Sequence, residues 1–102
     1  MEDIEKISDK IEYEIDGAED YMQCAFYFKE RRPRLGDALY KIANNKINDM
    51  NLLHAEVAAM IEDYKKEHGD APEAMKILYN IMHRKHIANA ASVKGMMSLY
   101  KE

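Results

Sequence analysis

The stretch IEKISDKIEYEIDGAEDYMQCAFYF, residues 4–28, decides the fold. Along it, apolar or small side chains recur at alternating spacings of three and four residues, with Glu14 as the one charged member of the series: Ile4, Ile7, Ile11, Glu14, Ala18, Tyr21, Ala25 and Phe28. This seven-residue repeat is typical of helices that pack side by side in a bundle. The stretch therefore predicts a long amphipathic helix with one continuous packing face.

Helix-breaking residues downstream divide the rest of the chain. Pro33 disfavours a helical conformation in the residue before it and suits the first turn of a new helix. Gly69 predicts the end of that second helix, and Asp70-Ala-Pro-Glu73 predicts the start of a third. Connections this short favour antiparallel neighbours. We therefore predict one all-α domain over residues 1–102, an antiparallel bundle of three long helices at about 3–31, 34–68 and 71–101.

The composition excludes several other classes of protein. Only 4 Gly and 2 Pro occur in 102 residues, too few for the frequent turns of an all-β fold. A single Cys excludes an intramolecular disulfide, and no apolar run is long enough to predict a membrane span. The net charge of −4 does not favour a nucleic-acid partner. Because Met1 is followed directly by two acidic residues, we expect no signal peptide and a cytoplasmic location.

The second and third helices carry apolar stripes of their own. The second helix has a further face with apolar residues and histidines, at Ala43, Ile47, His54, Ile61 and His68. This second face predicts that the second helix is central, with the third helix packed along it.

Several polar residues interrupt the apolar stripes at one height of the predicted bundle. Folding the chain at residues 32–33 and again at 69–70, with a rise of about 1.5 Å per residue, places them within one helical turn of each other. These residues are Glu14, Lys46, Asp49, His86 and Asn89. We therefore predict a central polar layer inside the bundle.

Three interpretations of this layer compete. In one of them, most of these residues are simply exposed on the surface, and the other two place them inside the bundle. Inward-facing carboxylates and histidines build di-iron and di-manganese sites in helical bundles, and Glu14, Asp49 and His86, with His54, would be the ligands of such an iron or manganese site. Alternatively, Lys46 neutralises Glu14 and Asp49, and no cofactor is bound. We favour the ion-pair layer, because an ammonium group at its centre would repel a metal ion.

Residues 14–53 resemble the ferritin-like superfamily, in particular the helical hairpin of rubrerythrin-type proteins. Glu14, Gly17, Tyr21 and Ala25 match the pattern of its first helix, and Ala43-Asn-Asn-Lys-Ile-Asn-Asp49 lies where the family has Ala-Asn-x-Glu-x-x-His. The resemblance implies a ferritin-like hairpin with Glu14 as a former ligand. Lys46 and Asp49 replace the family's Glu and His, so it implies a degenerate member whose metal-ligand motif is largely lost.

Charge is distributed unevenly along the chain. Residues 1–20 contain nine acidic and two basic residues, a net charge of −7. A basic tip follows the first helix, formed by Lys29, Arg31, Arg32 and Arg34. Both features fit either a partner surface or the ordinary preference of helix ends for compensating charges.

No arrangement of residues predicts catalysis. A three-helix chain resembling a four-helix fold suggests that a partner helix completes the structure, and a two-fold homodimer is the first expectation. We therefore expect a non-enzymatic helical interaction and oligomerisation module, of a kind compatible with a phage or mobile-element product that binds a host protein. The competing hypothesis is the ferritin-like metal-binding protein.

Overall fold

The computed structural model describes residues 2–102 as three helices joined by short turns. Helix α1 spans Glu2–Phe28, α2 spans Pro33–His68 and α3 spans Glu73–Lys101. The described residues contain no strand. The molecule is a rod of 56 × 19 × 17 Å. The predicted all-α bundle of three long helices is thus confirmed.

The helix ends differ slightly from the predicted ones. α1 ends at Phe28, before residue 31, and the chain turns there with the Arg32 N–H donating to the Phe28 carbonyl at 2.8 Å. α2 ends at His68, as predicted, and is followed by Gly69, whose positive φ of 78° suits glycine. α3 begins at Glu73, because Pro72 lies outside the helix in an extended conformation and its carbonyl accepts the first N–H bonds of the helix.

The central helix is α1, which corrects the prediction that α2 is central. α2 and α3 both pack along α1, whereas the backbones of α2 and α3 approach each other at few points. Three of the four largest fully buried side chains, Ile11, Ile15 and Met22, belong to α1. The apolar stripe of α1 is therefore shared between two neighbours, and the second face of α2 is only partly covered.

None of the helices combines the length and apolarity needed to cross a bilayer, as judged over residues 2–102.

Candidate functional site

Glu14 and Lys46 face each other between α1 and α2. The Lys46 Nζ lies 3.6 Å from Glu14 Oε2, and the two side chains are 24% and 21% exposed. Gly17 makes room for the pair, because a Cβ atom there would lie 3.1 Å from Lys46 Cδ. The ammonium group also lies 5.7 Å from the centre of the Tyr21 ring. This is a half-buried ion pair at the edge of the core, in which the lysine stem packs and its charge reaches water.

The rest of the predicted polar layer does not assemble around this pair. Asp49 is exposed and Asn89 is half-buried, whereas His86 is buried and packs against His54 on α2. Comparing heights along folded helices places residues at one level but does not determine the direction in which each side chain points. The layer is therefore corrected to one ion pair, Glu14 with Lys46, and a separate group of histidines.

Three histidines form this second group, between α2 and α3. The His54 ring centre lies 5.3 Å from that of His83 and 5.6 Å from that of His86. Tyr79 stacks on the other side of His83, with ring centres 5.5 Å apart. His86 is only 3% exposed, and His83 Nδ1 is buried without a hydrogen-bond partner in the described chain. We call His54, His83 and His86 the histidine cluster.

Burial favours the neutral forms of His54 and His86. It is the main cause that lowers the pKa of His54 and of His86 below the ordinary value of 6.5, and the neighbouring imidazole of His83 adds to both shifts. Glu12 on α1 opposes the shift of His86, but Lys85 is hydrogen-bonded to Glu12 at 2.7 Å and acts the other way. That hydrogen bond lowers the pKa of Glu12. The neutral form of His54 and of His86 is therefore favoured at neutral pH.

Acid is expected to destabilise the fold below about pH 6.5, because of this cluster. An unfolded chain restores the ordinary pKa of His54 and His86 and so binds more protons than the folded chain, and falling pH then favours unfolding. Urea-unfolding free energies at about pH 8 and about pH 5.5 measure the loss. Over this range, the free energy of unfolding should fall less in the double variant His54→Gln/His86→Gln than in the wild type. In the variant of the exposed His68, His68→Gln, it should fall as much as in the wild type. An unchanged pH dependence in the double variant would contradict this account.

The predicted metal ligands are not brought together. Glu14 is paired with Lys46, Asp49 faces solvent, and only His54 and His86 of that set are in contact. Within residues 2–102, no three His, Cys, Asp or Glu side chains are grouped in an arrangement that could hold a metal ion. The iron or manganese set Glu14, Asp49, His86 and His54 is therefore not the arrangement that this chain adopts.

His83 is the member of the cluster that the sequence interpretation did not use. It lies one turn before His86 on α3, and folding the chain at residues 69–70 places His54 opposite residue 85. This pattern could have revealed the cluster, but the search for carboxylate ligands directed attention to Asp49 instead.

The basic tip is partly structural. The half-buried Lys29 donates from Nζ to the Tyr100 carbonyl at 2.7 Å, and its ammonium group lies 5.0 Å from the centre of the Tyr100 ring. Arg31 donates to the Tyr27 hydroxyl at 2.6 Å on the surface. Arg32 and Arg34 are exposed. Lys29 thus fastens the end of α3 to α1, which leaves three arginines to form the exposed tip.

No family model, curated protein or solved structure matches the chain. The ferritin-like resemblance therefore depends on the residues that carry it, Glu14 to Ala25 and Ala43 to Asp49.

Proposed function

We propose that the protein is a non-enzymatic helical interaction module, built on a degenerate ferritin-like hairpin, that self-associates through the outer face of α3. This face is the row of exposed residues, each about one helical turn from the next, that points away from the core: Ile77, Ile81, Arg84, Ala88, Ser92, Gly95 and Leu99. The observation that carries the proposal is the exposure of its three large apolar members, 52% for Ile77, 61% for Ile81 and 59% for Leu99. In a chain with 33% charged residues, this face has a single charge.

The outer face of α3 is complementary to itself. In an antiparallel pair with its two-fold axis at Ala88, Ile81 lies opposite Gly95 of the partner, and Ile77 lies opposite Leu99. Ile81 then meets a small residue, and Ile77 and Leu99 form an apolar pair. No atom of the described residues lies within 4 Å of where a Cβ of Gly95 would be. Such a closed two-fold contact is the commonest symmetry of homo-oligomers.

The extent of the face predicts a weak, reversible dimer. From residue 77 to residue 99 a helix is about 33 Å long, and a strip about 10 Å wide gives roughly 330 Å² per copy. Stable interfaces bury about 800 Å² per partner, so we expect a dissociation constant in the micromolar range or weaker. A cytoplasmic location belongs to the same proposal and is supported by the exposed free thiol of Cys24, which suits a reducing compartment.

Substituting Ile81 with glutamate is expected to abolish self-association. The change removes the apolar side chain of Ile81 from the contact and places one carboxylate per copy opposite the small Gly95 site, where burying a charge is unfavourable. Sedimentation velocity over a wide concentration range should show a dimer for the wild type and a monomer for Ile81→Glu. Leu52→Glu is the matched control, because Leu52 is a largely exposed apolar residue on α2 outside the face. A wild type that remains monomeric at millimolar concentration, or equal dissociation in both variants, would overturn the proposal.

A further inference from the structure

A groove separates α2 from α3, and Ile4, Ser8 and Ile11 of α1 line part of it. One end of it is a largely apolar cavity of about 250 Å³ lined by Ile61, Met75 and Tyr79. Its middle is a cavity of about 330 Å³ lined by His54, Ile87 and others. A third, small cavity of about 10 Å³ lies between them, since Tyr79 also lines the first cavity and the histidine cluster also lines the second. The three cavities thus follow one another along the two helices.

The dimensions of the groove suit one helix. It extends along α3 from Met75 to Lys94, about 28 Å, which is the length of a helix of roughly 19 residues. α2 and α3 both pack on α1, and their backbones approach each other at few points, although side chains such as His54 and His86 bridge the gap. The three helices thus resemble three corners of a square of four helices, with α1 between the other two. The fourth corner, opposite α1, is the groove.

The charge of the groove differs from that of the whole chain. None of the described residues that line its three cavities is acidic, although the chain contains 19 Asp and Glu. Lys65, Lys76 and Lys94 line it, and of these Lys76 has the exposed Asp70 at 3.9 Å. An apolar floor with a cationic margin is complementary to an apolar stripe flanked by carboxylates.

We propose that this groove binds an amphipathic helix of another protein, one whose apolar stripe is flanked by Asp and Glu. The inference rests on the proposed function, since it assigns the interaction module a partner class and a second surface. A second copy of the chain does not supply this helix, because α1 is its acidic helix and the apolar stripe of α1 is already buried, with Ile11, Ile15 and Met22 among its fully enclosed side chains. The partner helix completes a four-helix bundle.

The test is a selection from displayed helical peptides of about 19 residues, with a fixed leucine stripe and randomised flanking positions. We expect the peptides selected by the wild-type protein to be enriched in Asp and Glu at the flanking positions. Amide chemical-shift changes on adding a selected peptide should fall on the groove, at His54, His83, Ile87 and Lys94. No enrichment, enrichment in Lys and Arg, or shifts confined to the outer face of α3 would overturn the inference.

Two charge-reversal variants distinguish an effect of the groove lysines from an effect of the net charge of the protein. Lys76→Glu/Lys94→Glu should weaken a selected acidic peptide by about tenfold or more. The matched control Lys6→Glu/Lys10→Glu makes the same change in net charge on the exposed surface of α1 and should leave affinity within about twofold of the wild type. Equal losses in both variants would contradict a local site. If the protein dimerises but selects no peptides, only the proposal for the groove is rejected. If it neither dimerises nor selects peptides, the proposed function is rejected as well.

Discussion

Replacing Tyr100 with alanine is expected to lower the free energy of unfolding by about 3–5 kcal/mol, the usual cost of removing a buried aromatic ring. Tyr100 is 4% exposed, stacks on Tyr40 with ring centres 5.3 Å apart, and contacts the edge of Phe26 at 5.5 Å. Its hydroxyl donates to Asp37 Oδ1 at 2.9 Å. One side chain near the end of α3 thus holds that helix to both α1 and α2.

Two further variants test where this stability originates. Tyr100→Phe keeps the ring contacts and loses only the hydrogen bond to Asp37, so a loss of about 1 kcal/mol is expected. Tyr13→Ala removes an exposed tyrosine of α1 and should change stability by less than about 0.5 kcal/mol. Urea unfolding followed by circular dichroism measures all three. A loss below about 1 kcal/mol in Tyr100→Ala would show that the end of α3 is not fastened in this way.

The phenolic proton of Tyr100 is part of the same contact. Burial raises the pKa of Tyr100, and the hydrogen bond that its hydroxyl donates to Asp37 adds to the shift. The neutral form that can donate this hydrogen bond is therefore retained throughout the physiological range. The pattern of charged residues in the sequence around residue 100 does not predict this hydrogen bond.

The sequence predicts the helices well because their signals are local. The apolar repeat of residues 4–28 sets the packing face of α1, and Pro33 and Gly69 mark the turns. The arrangement of the helices depends on more distant contacts. α2 has the second face expected of a central helix, yet α1 has the small residues, Ala18 and Ala25, that allow both neighbours to approach closely.

The candidate site is predicted only in part for a related reason. Opposite charges on facing stripes pair where one residue has room to reach the other, as Lys46 does over Gly17. Asp49 is at the expected height but points to solvent, since height along a helix and direction around it are independent. His54 and His83 meet through the gap between α2 and α3, which no pattern within one helix can reveal.

Gly36→Ala is expected to destabilise the protein by about 1–3 kcal/mol, although alanine is the better helix former. Gly36 is buried near the start of α2, and a Cβ there would lie 2.7 Å from Tyr100 Oη and 3.2 Å from the Ala25 carbonyl oxygen. The second atom belongs to the backbone of α1, so relieving the contact requires the helices to separate. Gly36 is thus required for close approach of three helices.

Gly95→Ala is the matched control, because no atom of residues 2–102 lies within 4 Å of its added methyl group and the site is exposed. In dilute solution, where the chain is monomeric, this variant should be stabilised by up to about 1 kcal/mol through helix propensity. The change in the free energy of unfolding should therefore have opposite signs for Gly36→Ala and Gly95→Ala, which distinguishes the cost of a packing clash from the gain in helix propensity. In a Tyr100→Phe background the Oη contact is absent, so Gly36→Ala should cost less than it does alone. An equal cost in both backgrounds would instead assign the strain entirely to the backbone of α1, at Ala25 and Lys29.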